Sequence, residues 1–396
     1  MQSRRKFVFA LIVVGSLTLG VRAQQQGINP IDVQPIEVQP IDVQPAEISA
    51  LTSPDPPAGP VNLIAAIQVP GGLASSDILW VDQPSGRLFV TDRTNRAIDI
   101  FDAVNNVFVA RVTGFVGAAG TPGVTNGPGP NGVLVTEDNI MWVGDGNSLL
   151  QAVDLNLSSP QITHTISVGG PTDGRADELG YDPIERVVLV ANNASVPPHL
   201  TFVSADTYGV LGQIQLSDAT GLEQPMWNTQ LHRFFVTVPA SPPYVAVIDP
   251  RSMRVTKKYR IPGCGMGMNG IVLGPFQRML VSACGRPYIM NAINGRVINM
   301  ITQVGGGDEV WYNPGDNRFY VTSTDSTGQT VLGVIDAATS QWIQNVPAPG
   351  ARNPTAFVGN NHIFAAVAAP AALRPASVCL QFGLQDTGCI AVFGHL

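Results

Sequence analysis

Asp77-Ile-Leu-Trp-Val-Asp82 runs through a turn into Arg87-Leu-Phe-Val-Thr-Asp92, and Asp308-Glu-Val-Trp-Tyr-Asn313 runs likewise into Arg318-Phe-Tyr-Val-Thr322. The two stretches are copies of one pattern. An acidic residue opens an apolar strand, a turn follows, and a second strand is rich in Val and Phe. A third strand closing on Asp and a fourth strand complete the unit. Seven units follow from Leu73 onward. Their spacing of about 40–50 residues, with four strands each, is the repeat of a β-propeller. The expected fold class is therefore all-β, a seven-bladed β-propeller of four-stranded antiparallel blades.

Blade one is expected over 73–115, blade two from about 124 to 170, blade three over 172–220 and blade four over 221–263. Blade five follows over 265–306 and blade six over 307–350, and blade seven starts at Ala351 with only three clear strands. Asn62-Leu-Ile-Ala-Ala-Ile-Gln-Val69 reads as the missing fourth. An N-terminal strand that completes the last blade leaves no open sheet edge. Third strands end in Ile100-Phe-Asp102, Val153-Asp154, Val247-Ile-Asp249 and Val334-Ile-Asp336. An Asp there starts the next turn by bonding its own backbone, a structural role.

Bulk composition agrees. The chain has 396 residues, only 13% of them charged, with 41 Gly and 32 Pro, which suits short strands and many tight turns. A net charge of −7 and the lack of a basic stripe exclude nucleic acid as a partner. Residues 1–23 read as an export signal: Arg4-Arg5-Lys6, an apolar stretch from Phe7 to Val21, and Val21-Arg22-Ala23 before the cleavage point. That stretch is too short for a lasting membrane anchor. Ser3-Arg4-Arg5-Lys6-Phe7 also matches the twin-arginine pattern, so general secretion and twin-arginine export both stay open, to the periplasm or beyond. Residues 24–60 are a Pro-rich linker with Ile31-Asp-Val-Gln-Pro35, Ile36-Glu-Val-Gln-Pro40 and Ile41-Asp-Val-Gln-Pro45 in tandem. Proline at every fifth position keeps it extended. Residues 61–396 form the propeller, expected to be a monomer.

Four cysteines in an exported chain imply disulfides, with three possible pairings. Cys264, in the connection into blade five, and Cys284, after that blade's second strand, fall on one face of a propeller. Cys379 and Cys389 flank an excursion in blade seven. The expected pairs are Cys264–Cys284 and Cys379–Cys389.

Aligning the inner strands puts Asp77, Asn131, Asp177, Glu223, Asn269, Asp308 and Asn353 at one opening position. Inner strands line the channel of a propeller, so these side chains should converge on its axis. Carboxylates and amides together form the oxygen-donor set that Ca2+ or another hard divalent cation prefers. Clustered carboxylates without a cation repel one another, which raises some of their pKa values. The same residues read equally well as polar strand ends bonding their connecting loops beside a water-filled channel. Arg175 and Arg352, each just ahead of a ring residue, are expected either to neutralise the ring or to meet an anionic substrate. If the funnel is catalytic, the cation polarises a carbonyl and activates water, with Asp177, Glu223 or Asp308 as base.

Other chemistry finds no support. The mature chain holds no Gly-x-Ser-x-Gly elbow and no Cys-x-x-Cys-His, so neither a serine hydrolase nor covalent haem is expected, and no nucleotide. His164 is placed in an outer strand, His199 in a loop, His232 and His362 at inner turns, and His395 at the C-terminus, none of them at the ring. Trp80, Trp227 and Trp311 are read as packing between blades.

Ala176-Asp-Glu-Leu-Gly-Tyr-Asp-Pro183, Asp308-Glu-Val-Trp-Tyr-Asn-Pro-Gly-Asp-Asn-Arg-Phe-Tyr320 and Val334-Ile-Asp-Ala-Ala-Thr339 resemble the exported bacterial YVTN-type (YncE-like) seven-bladed propellers. That family is defined by fold and implies no common activity. Pro130-Asn131-Gly132 and Met268-Asn269-Gly270 resemble a metal-binding motif of the regucalcin/gluconolactonase group. That resemblance implies a calcium-dependent lactonase with Asp177 and Glu223 among its carboxylates, although the Asn-Asp-Gly stretch of the group is missing here. The expected function is binding: an acidic axial funnel for a divalent cation and a small molecule or protein partner. The alternatives are a lactonase in the same funnel and a purely structural interaction module.

Overall fold

The computed structural model describes residues 59–118, 127–170, 173–370 and 377–396. The expected export signal and nearly all of the linker lie outside the described residues. Seven four-stranded antiparallel sheets follow one another, six of them in simple chain order from inner to outer strand. The seventh is closed by the N-terminus: Val61–Gln68 lies against the C-terminal strand Gly388–His395, in register from Val61 opposite His395 to Gln68 opposite Cys389. The circular closure expected from the sequence is present.

The second and third strands of the blades are largely apolar because the middle of each blade is buried on both faces, whereas outer strands such as Gln161–Ser167 and Arg254–Tyr259 are largely exposed. Side chains alternate across a strand, so neighbours in sequence enter different interfaces. Leu88 packs towards blade seven and Phe89 towards blade two. Phe234 and Phe235 divide the same way between blades three and five, and Phe319 and Tyr320 between blades five and seven. Each of the seven blade–blade interfaces holds its own hydrophobic cluster. The core is thus a ring of seven seams around a channel.

Third-strand aspartates act as expected: Asp102 Oδ1 accepts from Val104 and Asn105 N–H, Asp249 Oδ1 from Arg251 N–H, and Asp336 Oδ1 from Thr339 N–H. Both disulfides pair as expected, Cys264 with Cys284 and Cys379 with Cys389. They fit an oxidising compartment. Among the described residues no helix is long and apolar enough to cross a membrane.

Two placements differ from expectation. His199 opens the third strand of blade three, His199–Ser204, where it is buried and bonds Val168 O; it is not in a loop. Trp80 and Trp311 do touch the seams, but they also meet each other edge to face, with ring centroids 5.5 Å apart. They belong to blades one and six, which blade seven separates, so that contact crosses the channel. A sequence alignment places both on inner strands but carries no information about which residues meet across the axis.

Candidate functional site: the axial funnel

Most of the ring residues sit where the inner strands bulge. In blade three, Asp177 N–H donates to Ala191 O at 2.9 Å and Ala191 N–H donates to Glu178 O at 3.0 Å, so two inner residues face one neighbour. Asn131 and Gly132 do the same opposite Gly144 in blade two. In blades one, five and seven the ladder skips at the matching place: between Ser76 and Leu79, Met268 and Ile271, and Arg352 and Thr355. Such bulges bend the strand and re-aim its side chains. Blade-to-blade bonds hold the bulges in place: Ile78 N–H to Asn131 O, Gly132 N–H to Asp177 O, and Gly270 N–H to Asp308 O at 2.6 Å.

These close approaches account for the two Asn-Gly pairs. A Cβ on Gly132 would stand 2.4 Å from Asp177 O, and one on Gly270 2.7 Å from Asp308 O. The glycines are required by the packing of one blade's backbone on the next.

The four ring carboxylates interact. Burial pushes Asp77 up to about 7, with Arg93 opposing and the charges of Asp177 and Asp308 adding. Burial, followed by the charges of Asp177 and Asp308, pushes Glu223 up to about 8. Two guanidiniums enter the ring. Arg93, from the end of blade one's second strand, pairs with Asp77 and donates through Nε to Asn131 Oδ1 at 3.0 Å. Arg175 pairs with Asp177 at 3.0 Å. Burial works against the Arg175 charge, but Asp177, Asp77 and Glu223 hold its pKa above the ordinary value. Asn193 donates to Asp177 as well.

The amides complete the ring. Asn131 Nδ2 donates to Ala176 O at 2.9 Å, Asn269 Nδ2 to Asp308 Oδ1 at 3.2 Å, and Asn353 Nδ2 to Asp77 O at 3.1 Å. Arg175 therefore neutralises the ring, whereas Arg352 is exposed on the clefts beside Asp308 and makes no ion pair among the described residues. The Arg93 role went unread in the sequence, because it depends on a guanidinium reaching from one blade to the next. The adjacent cleft between blades six and seven is roomier, about 600 Å³, but of its described lining residues only Arg352 is charged.

A second layer lies directly beneath. Glu178 and Glu309, the second residues of the Asp-Glu doublets in blades three and six, are buried and line a channel cavity with Gln224, Trp80 and Trp311. Burial raises both carboxyl groups well above the usual range, and for Glu178 the Glu309 charge adds to it. The repeated doublet was a visible signal, but only the fold shows that both members lie at the channel, in blade three through a bulge. Among the described residues no group of three His, Cys, Asp or Glu side chains is arranged as a metal cluster.

No family model matches the chain, nor does any curated protein. Its fold is similar to that of a chain in a crystal structure of a mitotic checkpoint complex, with a TM-score of 0.62 and 11% identity over 94% of this chain and 99% of that one. At that identity the likeness shows the propeller fold alone.

Proposed function

We propose that the protein is an exported binding propeller whose acidic axial mouth takes a divalent cation, and through it a small molecule or a charged group of a partner. The observation that carries this reading is electrostatic. Four carboxylates from four blades face two guanidiniums, and Asp77 and Glu223 are pushed up to about 7 and about 8. A hard cation would take over the role that protons play there. Arg93 and Arg175 already hold Asp77 and Asp177, and Asn269 holds Asp308 Oδ1, so the available oxygens include those of Glu223, Asp308 Oδ2 and Asn353 Oδ1, which is buried and has no protein donor. That donor set suits a cation that keeps part of its water.

The test is thermal melting with chelator and then with calcium or magnesium added back. A ligand near 100 times its Kd contributes about 2.7 kcal/mol, a rise of roughly 3–5 °C for a domain of this size. The rise should vanish in Glu223→Gln/Asp308→Asn. No response to either metal would sink the cation reading and leave an interaction module. A positive result justifies a lactone screen, with Glu223 as the candidate general base beside the bound cation. Glu223→Gln would then abolish turnover in a hydrolase and change nothing but affinity in a binder.

A further inference from the structure

Glu178 and Glu309 come from blades three and six, with blades four and five between them, so their carboxyl groups meet across the channel. They lie within hydrogen-bonding reach of each other and are only 6% and 3% exposed. Among the described residues no N–H or O–H of any other residue donates to Glu178 Oε2 or to either oxygen of Glu309, so each carboxyl has only the other as partner. Their cavity, about 50 Å³, has Trp80 and Trp311 as its next layer. Trp80 and Trp311 also line a second, apolar cavity of about 360 Å³, together with Leu134, Met226, Trp227 and Leu273 among others.

Two facing carboxyls with no partner but each other are a costly arrangement in a buried site once both are ionised, and the group that relieves it is a positively charged donor. An ammonium supplies three N–H donors and the charge, and indole rings alongside attract it further. The apolar cavity that shares both indoles accepts hydrocarbon.

We propose that the channel is a binding site for a primary ammonium carrying an apolar or aromatic tail, with the head between Glu178 and Glu309 and the tail among Trp227, Met226 and Leu273. The site uses the layer below the ring and needs no metal, so it goes beyond the calcium reading.

The probe is phenethylammonium, with 2-phenylethanol as the neutral analogue of the same shape, both added in chelator and followed by tryptophan fluorescence and melting. The ammonium should bind saturably and raise the melting temperature, and the alcohol should bind more than about tenfold more weakly. Glu309→Gln and Glu178→Gln should each weaken ammonium binding by more than about tenfold while leaving the alcohol unchanged. Both variants remove a buried carboxyl and should fold, which their own melts check. Equal binding of amine and alcohol, undiminished amine binding in both variants, or no saturation at millimolar amine would each overturn the proposal. A calcium response alongside a failed amine titration would fail this inference alone.

Discussion

Gly132 and Gly270 carry the sharpest single-residue consequence of the axial packing. Each sits where the next blade's backbone closes on the bulge, and an added methyl would need that backbone to move. Gly132→Ala and Gly270→Ala should each destabilise the domain by about 1–3 kcal/mol in urea unfolding, the usual cost of overpacking. Gly265, which has nothing within 4 Å of an added Cβ, serves as the control and should change by less than about 0.5 kcal/mol as alanine. Equal behaviour of all three would remove the close-packing account of the Asn-Gly pairs.

The N-terminal strand is the element on which closure depends. It buries Val61 and Ile67, and Gln344 clamps Val61 from blade six, donating to its O at 2.7 Å and accepting from its N–H at 3.1 Å. Without it Gly388–His395 would become an exposed edge, ready to pair with another chain. A chain starting at Pro70 should melt roughly 10 °C lower, on the basis of several kcal/mol of lost apolar burial, and should self-associate in size-exclusion chromatography. A monomer that melts with the longer chain would show that the ring closes without this strand.

Burial around the whole ring shapes the response to pH. Asp77 and Asp99 are pushed up to about 7, Glu223 to about 8 and Asp145 to about 6, each first of all by burial. A carboxyl with a raised pKa binds its proton more tightly folded than unfolded, so these groups favour the fold below the ordinary carboxylate range. Their contribution is lost as pH rises from about 4 through about 8. Asp102, Asp138, Asp218 and Asp325 have lowered values, so their contribution is lost only in acid. Stability against urea should therefore fall between pH 5 and pH 8, and Glu223→Gln should flatten the upper part of that fall. A flat or rising profile would mean that the axial carboxylates ionise at no cost.

Blade number, circular closure and disulfide pairing were legible in the chain, because each rests on local periodicity or on spacing that a repeat enforces. Asp77, Asn131, Asp177, Glu223, Asn269, Asp308 and Asn353 open their inner strands, and a propeller brings such positions to one axis whatever their identity. What the chain could not disclose is which groups meet across that axis. Arg93 holds Asp77 of its own blade and reaches Asn131 of the next, Trp80 meets Trp311 past an intervening blade, and Glu178 faces Glu309. Those contacts depend on the diameter of the closed ring and on the bulges that re-aim side chains, both properties of seven blades packed together that no single repeat contains.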